Sequence, residues 1–260
     1  MAVYKGDDAG QVNLALNSII SQTKAPDEFI VVADGPISKS VKDILIKFSS
    51  EKLIKIVWLN DNVGRGQARN TAINFSTGEL ISIMDADDIA RPDRLEHQFN
   101  FMLSRDVDMC GGFIEEFSDQ PGDLGILRKV PLENKKIRDQ LRYRSAFNHV
   151  TLTFKRSLYD SVGGYRALNH AEDWDFYLRC ASQKVIFANM DLVLVDVKKN
   201  ILRRGGISNF NEEVIVLLDA YKRGQMTLIN LIFQMVFRFI KAVLPIQVRK
   251  RLHKIARSMG

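Results

Sequence analysis

The sequence predicts an α/β fold, a mainly parallel sheet flanked by helices, followed by an amphipathic helical tail. Three observations point there. Short apolar runs alternate with helix-like segments through the first half of the chain. Those runs are apolar throughout, as strands covered on both faces must be. Near the C-terminus, polar residues recur at helical spacing within an otherwise apolar stretch.

Taken in order, "MAVY" (1–4) reads as a short first strand and "EFIVVAD" (28–34) as a second. A Pro/Ser turn and the helical pattern "SVKDILIKFSS" follow. "LIKIVWLND" (53–61) is a third strand, and "GRGQARNTAINFS" after it spaces Ala68, Ala72, Ile73 and Phe75 helically. "ELISIMD" (79–85) is the next strand. "RPDRLEHQFNFML" is the next helix, with Pro92 near its start, where a missing N–H does no harm. From about Val107 the pattern is more mixed. "VDMCGGFIEEF" suits a strand with a glycine-permitted bend, and "NHVTLTF" another strand. "AEDWDFYLRCAS" suits a helix with Trp174, Tyr177, Leu178 and Ala181 on one face. We expect one main domain over 1–222, in halves of about 1–105 and 106–222 that share a core, and a tail over 223–260.

In the tail, Asn230, Gln234, Arg238 and Lys241 fall on one helical stripe and interrupt an apolar run that would otherwise resemble a membrane span. Charges near the middle of a span cost roughly 2.5–3.5 kcal/mol each, which argues against crossing. Pro245 ends this helix, and "QVRKRLHKIARSM" reads as a second, strongly basic one. From residue 220 onward there are nine Lys or Arg and no acid, so residues 1–219 hold 28 of the 37 basic residues against all 31 acidic ones. A near-neutral body with a basic amphipathic tail predicts contact with an anionic membrane surface. A helical hairpin packed on the core is the plainer alternative.

Composition is that of a folded globular protein, with 46% hydrophobic and 26% charged residues. Cys110 and Cys180 stand alone, which suits a reducing compartment and excludes a disulfide framework. "MAVYKGDDAG" lacks the charged start and apolar core of a secretory leader, so a cytoplasmic location is expected. Nothing suggests a nucleic-acid partner.

The chemistry is expected at the strand ends, where ligands of open α/β sheets bind. Asp34 ends one strand. Asp85 ends another, with Asp87 and Asp88 directly after it, and Asp7 and Asp8 follow "MAVY". Carboxylates gathered on one rim repel unless protonated or bridged by a cation. A hard divalent ion such as Mg²⁺ or Mn²⁺ that shares its coordination with substrate phosphates would satisfy them. Between these strands, "NVGRGQARN" (62–70) sets Arg65 and Arg69 at a helix start, a favourable place for a diphosphate. It is not a dinucleotide fingerprint, because Arg69 stands where the third glycine belongs.

"MAVYKGD", "SIISQT", "EFIVVADGP", "NVGRGQARNTAI", "GELISIMDADDIARPDRLE" and "HAEDWDFYLR" together resemble family 2 glycosyltransferases, in the order that family shows them. They are most similar to the bacterial branch that builds capsules, exopolysaccharides, amylovoran and O-antigens. The resemblance covers about residues 1–210. It implies a GT-A fold, a nucleotide-sugar donor, a divalent metal and inversion at the anomeric carbon.

By that resemblance Asp34 contacts the nucleotide base, with Val3 and Tyr4 beside it at the end of the first strand. Asp85 and Asp87 match the D-x-D pair, Asp85 on the ribose and Asp87 on the metal, with Asp85 a second candidate ligand. Arg69 braces the nucleotide pocket. Asp173 matches the general base, favoured over Glu172 and Asp175, although acids at a helix start also complement the helix dipole. His149, Glu172 and Trp174 are acceptor-side candidates, Trp174 having core as its alternative. Arg203 and Arg204, in "LRRGGISN", resemble a segment that closes over the diphosphate. The implied reaction moves a hexose, galactose or glucose, from a UDP-sugar to a lipid-diphosphate-linked saccharide at the cytoplasmic face of the membrane. A haloacid dehalogenase-type phosphohydrolase fits poorly, since its D-x-D lies near the N-terminus. A nucleotidyltransferase should begin with a glycine-rich basic loop, and a membrane-bound scaffold has no need for the acids at 34, 85, 87 and 173.

Overall fold

The structure is a computed structural model that describes residues 1–199 and 207–244. Two sheets carry it. The first is parallel and three-stranded, in the order β1 (Ala2–Val3), β2 (Ile30–Ala33), β3 (Lys55–Trp58). The second has six strands: β4 (Leu80–Ser82), β8 (Thr153–Lys155), β6 (Met109–Phe117), β9 (Phe187–Lys198) and β5 (Ile89–Ala90) in spatial order, with β7 (Ile126–Arg128) paired to β6. In it β6 and β9 run parallel and the other pairings are antiparallel. The parallel character anticipated from the apolar runs therefore resides chiefly in residues 2–58. The run at 80–82 pairs antiparallel with β8, a segment far along the chain that local patterning could not disclose.

The flanking helices follow their sequences. In α1 (Ala9–Ile20), Val12, Ala15, Leu16 and Ile19 form the inward stripe, and the Asp8 carboxylate caps the helix by accepting the Gln11 N–H. In α2 (Lys39–Ser50), Val41, Leu45 and Phe48 are buried and Ser38 caps. Gly64, at φ +85°, turns the chain into α3 (Arg65–Phe75). Helix α4 (Arg94–Arg105) begins behind Asp93, so Pro92 stands just ahead of the helix rather than inside it. The expected bend in β6 occurs where its register with β9 shifts around Gly111 and Phe113. "NHVTLTF" is only partly strand. Residues His149–Thr151 form a 3₁₀ turn, held by the Thr151 hydroxyl donating to Asn148 O, and β8 follows.

Helices α5 (Asn134–Leu141), α6 (Arg156–Val162) and α7 (Glu172–Ala181) cover the second sheet, and α8 (Ile207–Lys222) and α9 (Leu228–Val243) form a hairpin behind them. The largest apolar cluster joins Ile73, Ile81 and Ile83 to Phe154, Tyr165, Trp174, Phe176, Tyr177 and Leu231, so both halves and α9 share it. A second cluster, with Val3, Val12, Val31 and Ala86, draws the turn at 86–87 against β1. That packing brings the end of the 80–82 run beside the first sheet without strand pairing.

Candidate active site

Two loops meet at the ends of β2 and β4. Asp34, directly after β2, is buried. Its carboxylate accepts the Val63 N–H at 2.7 Å, the Gly64 N–H at 3.2 Å and an Asn62 side-chain N–H at 3.0 Å. These donors fix the loop that leads into α3. Gly35 permits the close approach: its φ is +79°, and a Cβ there would lie 2.7 Å from Asn62 N. Val3 is a core residue, and its carbonyl accepts the Asp34 N–H at 2.8 Å. It contributes the strand end, not a side chain. Tyr4 is half-buried, its N–H held by Asp7 at 2.8 Å.

The acidic knot after β4 is held by arginines. Arg69, from α3, is buried and donates to Asp85 at 2.9 Å and to Glu172 at 3.4 Å. Burial opposes its charge, but the carboxylates of Asp85 and Glu172 outweigh that and raise its pKa. Asp85, despite the desolvation that opposes its ionisation, is held below the usual carboxylate range by Arg69. Arg65 reaches Glu172 at 3.5 Å and Asn169 O at 3.0 Å. From below, the fully buried Arg94 donates to Ile83 O at 2.7 Å and fixes the backbone leading to Asp85. Burial lowers the Arg94 pKa to about 10. Its place in "RPDRLE" gave no sign of this role.

Asp87 is half-buried in the turn after Asp85. Asp88 is turned inward. It accepts the Lys198 N–H at 2.9 Å, and burial, then Asp87 and Asp85, hold its pKa well above the usual carboxylate range. Among the described residues no group of three or more His, Cys, Asp or Glu forms a ready-made metal cage. The residues present nonetheless fit a small divalent ion, which needs one or two carboxylates when phosphates supply the rest. Asp87 and Asp85 provide those two.

Helix α7 carries three acids in its first turn, of which Glu172 reaches this corner. Glu172 is buried on Arg69 and Arg65, and Asp175 is buried on Arg179 at 2.7 Å. Asp173, half-buried between them, makes no ion pair among the described residues; its Oδ1 accepts the Trp174 N–H at 2.7 Å. Burial raises its pKa. Glu172 thus braces the two arginines through Oε1, and its Oε2 is buried without a hydrogen-bond partner among the described residues. Trp174 takes the core alternative of its two readings. Its ring is core, its indole N–H donates to Leu141 O at 2.8 Å, and the Arg238 guanidinium covers it at 4.3 Å.

His149 hydrogen-bonds through Nδ1 to the Tyr177 hydroxyl at 2.6 Å, and its Nε2 is buried without a partner. Burial and then Arg69 lower its pKa well below the ordinary histidine value, so the ring is neutral at pH 7. Tyr165 lies edge-on to it at 5.8 Å, its hydroxyl likewise buried without a partner. Tyr177 stands four residues after Asp173, one helical turn on; its aromatic character alone suggested core. Arg203 and Arg204 lie outside the described residues.

The family model for glycosyl transferase family 2 matches residues 4–163. An Escherichia coli UDP-Gal:alpha-D-GlcNAc-diphosphoundecaprenol beta-1,3-galactosyltransferase is 32% identical over 98% of this chain and 94% of its own. The Erwinia amylovora amylovoran biosynthesis glycosyltransferase AmsE is 28% identical over 98% of this chain and 96% of its own. Staphylococcus aureus TarS 1–349, solved in complex with UDP-GlcNAc, superposes with a TM-score of 0.65 over 84% of this chain and 65% of its own, at 17% identity. That likeness is one of fold, the GT-A arrangement of two sheets and flanking helices. The present chain spans less than two thirds of the TarS chain. With the match to more than half its length and the relatives over nearly all of it, the chain belongs to glycosyl transferase family 2.

Proposed function

We propose that this glycosyltransferase moves a hexose, galactose or glucose, from a UDP-sugar to a lipid-diphosphate-linked saccharide in bacterial surface polysaccharide synthesis, with inversion at the anomeric carbon. The observation that carries the reading is Asp173. Of the three acids on α7 it alone among the described residues is left without an ion pair, within electrostatic reach of Arg69 and Arg65, the arginines that also act on Asp85 and His149. The printed activity of the 32% identical relative supports the donor and acceptor classes.

In this scheme Asp34, the 62–64 amides and the end of β1 form the nucleoside side of the pocket. Asp85 orients the ribose, and Arg65 and Arg69 balance the diphosphate charge. Asp87, with Asp85, would hold Mn²⁺ or Mg²⁺, which stabilises charge on the leaving diphosphate when bound. Asp173 accepts the proton of the acceptor hydroxyl as its oxygen bonds to the anomeric carbon. The carbon–oxygen bond to the diphosphate breaks on the opposite face, and UDP departs with that electron pair. Burial favours this role, because a carboxylate whose pKa is raised is a stronger base. The lipid-linked acceptor and the basic 223–260 segment support work at the cytoplasmic face of an anionic membrane. Incubation with UDP-galactose, UDP-glucose and a short-chain lipid-diphosphate-linked GlcNAc tests the reading. Proton NMR of the product should show a β linkage from the α donor. A retained α linkage, or no transfer from either donor, would contradict it.

A further inference from the structure

Helix α9 is inverted. Two residues of its polar stripe face the protein: Gln234 is buried, and the Arg238 side chain is 10% exposed. Most of its apolar residues face outward, Leu231 and Met235 being packed against the core. Nine of them are at least half exposed, among them Ile229, Ile232, Phe233, Val236, Phe237 and Ile240, with Ile229 at 80%. An apolar face of this extent marks a surface that meets something other than water. No helix of the described residues is long and apolar enough to cross a membrane, so α9 meets its partner sideways.

Charge selects the partner. Beyond residue 220 the chain has nine basic residues and no acid, and five of the nine follow α9 within 245–260. An anionic lipid surface offers apolar depth and negative headgroups together. Two copies meeting on this face would each bring the same excess of basic residues, which offers no complementary charge.

The inward side explains why the stripe is polar. The Arg238 guanidinium lies 4.3 Å over the Trp174 ring, pairs with Glu213 of α8 at 2.9 Å and donates to Tyr143 O at 2.9 Å. The backbone N–H of Trp174 in turn donates to Asp173 Oδ1 at 2.7 Å. One side chain of α9 thus grips the residue next to the proposed base.

We propose that α9 seats in the plane of an anionic bilayer through its outward apolar face, and that Arg238 is the positioning residue tying that seat to the helix of Asp173. The seat stands on α9 alone. The link to catalysis rests on the transferase reading above.

The test uses the full chain and vesicles of phosphatidylglycerol with phosphatidylethanolamine, or of phosphatidylcholine alone. The chain floats with the anionic vesicles. Phe233→Gln with Phe237→Gln, both exposed positions, reduces that binding at least tenfold while melting as wild type. Undiminished flotation overturns the seat. So does a solution dimer broken by this pair in a chain that never floats, or stronger flotation on removing 245–260, which would mean that segment covers α9. In a Trp58→Phe chain Trp174 is the one remaining indole. Its emission changes on vesicle binding, whereas Arg238→Gln and Arg238→Lys chains float as wild type without that change. An emission response that survives both substitutions overturns the link. With a short-chain acceptor, anionic vesicles raise wild-type kcat about fivefold, the low end of ordinary coupling between sites. Both Arg238 variants lose that rise at unchanged donor KM. Failure of the transferase reading would appear differently, as flotation and emission changes intact with no transfer at all.

Discussion

Replacing Arg69 with methionine keeps most of the side chain's volume and removes its charge from between Asp85 and Glu172. Arg69 and Glu172 have side chains only 9% and 4% exposed, 3.4 Å apart. Removing one partner of a buried pair costs roughly 3–5 kcal/mol, because the other charge stays buried. Two features reduce that here. Asp85 is 37% exposed, so water screens its loss of Arg69. Arg65 remains 3.5 Å from Glu172, though its own side chain is largely exposed. A net cost of about 3 kcal/mol follows, and in a chain of this size each kcal/mol lowers the melting temperature by roughly 2–4 °C. Thermal unfolding followed by fluorescence should therefore fall by roughly 6–12 °C on these figures. Adding Glu172→Gln to Arg69→Met should recover part of the loss, since it discharges the stranded carboxylate. A single variant melting within about 2 °C of wild type would refute the claim that Arg69 holds the acidic corner together, since 2 °C is no more than about 1 kcal/mol here.

Other expectations follow from the same geometry. Asp88→Asn should stabilise the protein at pH 7 by roughly 1 kcal/mol, the order of a buried charge removed. The sign follows from its raised folded-state pKa: the protonated form is favoured on folding, so stability falls as pH rises from the unfolded value through the folded one. Asparagine keeps the acceptor for the Lys198 N–H, and the advantage should vanish in melts at pH 3. Gly35→Ala should cost roughly 1–3 kcal/mol through backbone strain and weaken UDP binding, measured by calorimetry, because the new Cβ pushes on Asn62. Asp87→Asn should remove the difference in UDP affinity between Mn²⁺ and chelator while leaving the chelator value unchanged. The acid limb of the kcat/KM profile should titrate above the ordinary aspartate range, since Asp173 must be ionised to accept a proton and burial raises its pKa.

Much of this molecule was legible where chemistry is local. The apolar runs at 30–33 and 55–58 and the helix at 172–181 declared themselves by composition and position. The acids at 34, 85 and 87 stood out at strand ends, whereas Asp173 was singled out by the family resemblance and not by its spacing. What escaped depends on residues distant in sequence. No periodicity shows that β4 pairs with residues 153–155, or that Arg94 holds the strand end from beneath. Trp174 and Glu172 were ambiguous because an acid or indole at a helix start serves the core as readily as a ligand. In the structure Trp174 lies under Arg238 and Glu172 against Arg69, contacts that no local pattern discloses. The stripe at 230–241 was visible, but its direction was not. A helical pattern gives two faces and leaves open which one meets the protein.

The central claim is that Asp173 removes the acceptor proton while other residues hold the donor. The direct measurement is single-turnover transfer by Asp173→Asn beside calorimetry of UDP on the same preparation. The account predicts a loss of at least about a thousandfold in transfer, within the range for a lost general base, with UDP affinity within about twofold of wild type. Transfer reduced less than about tenfold, or UDP binding lost in parallel with it, would contradict that assignment.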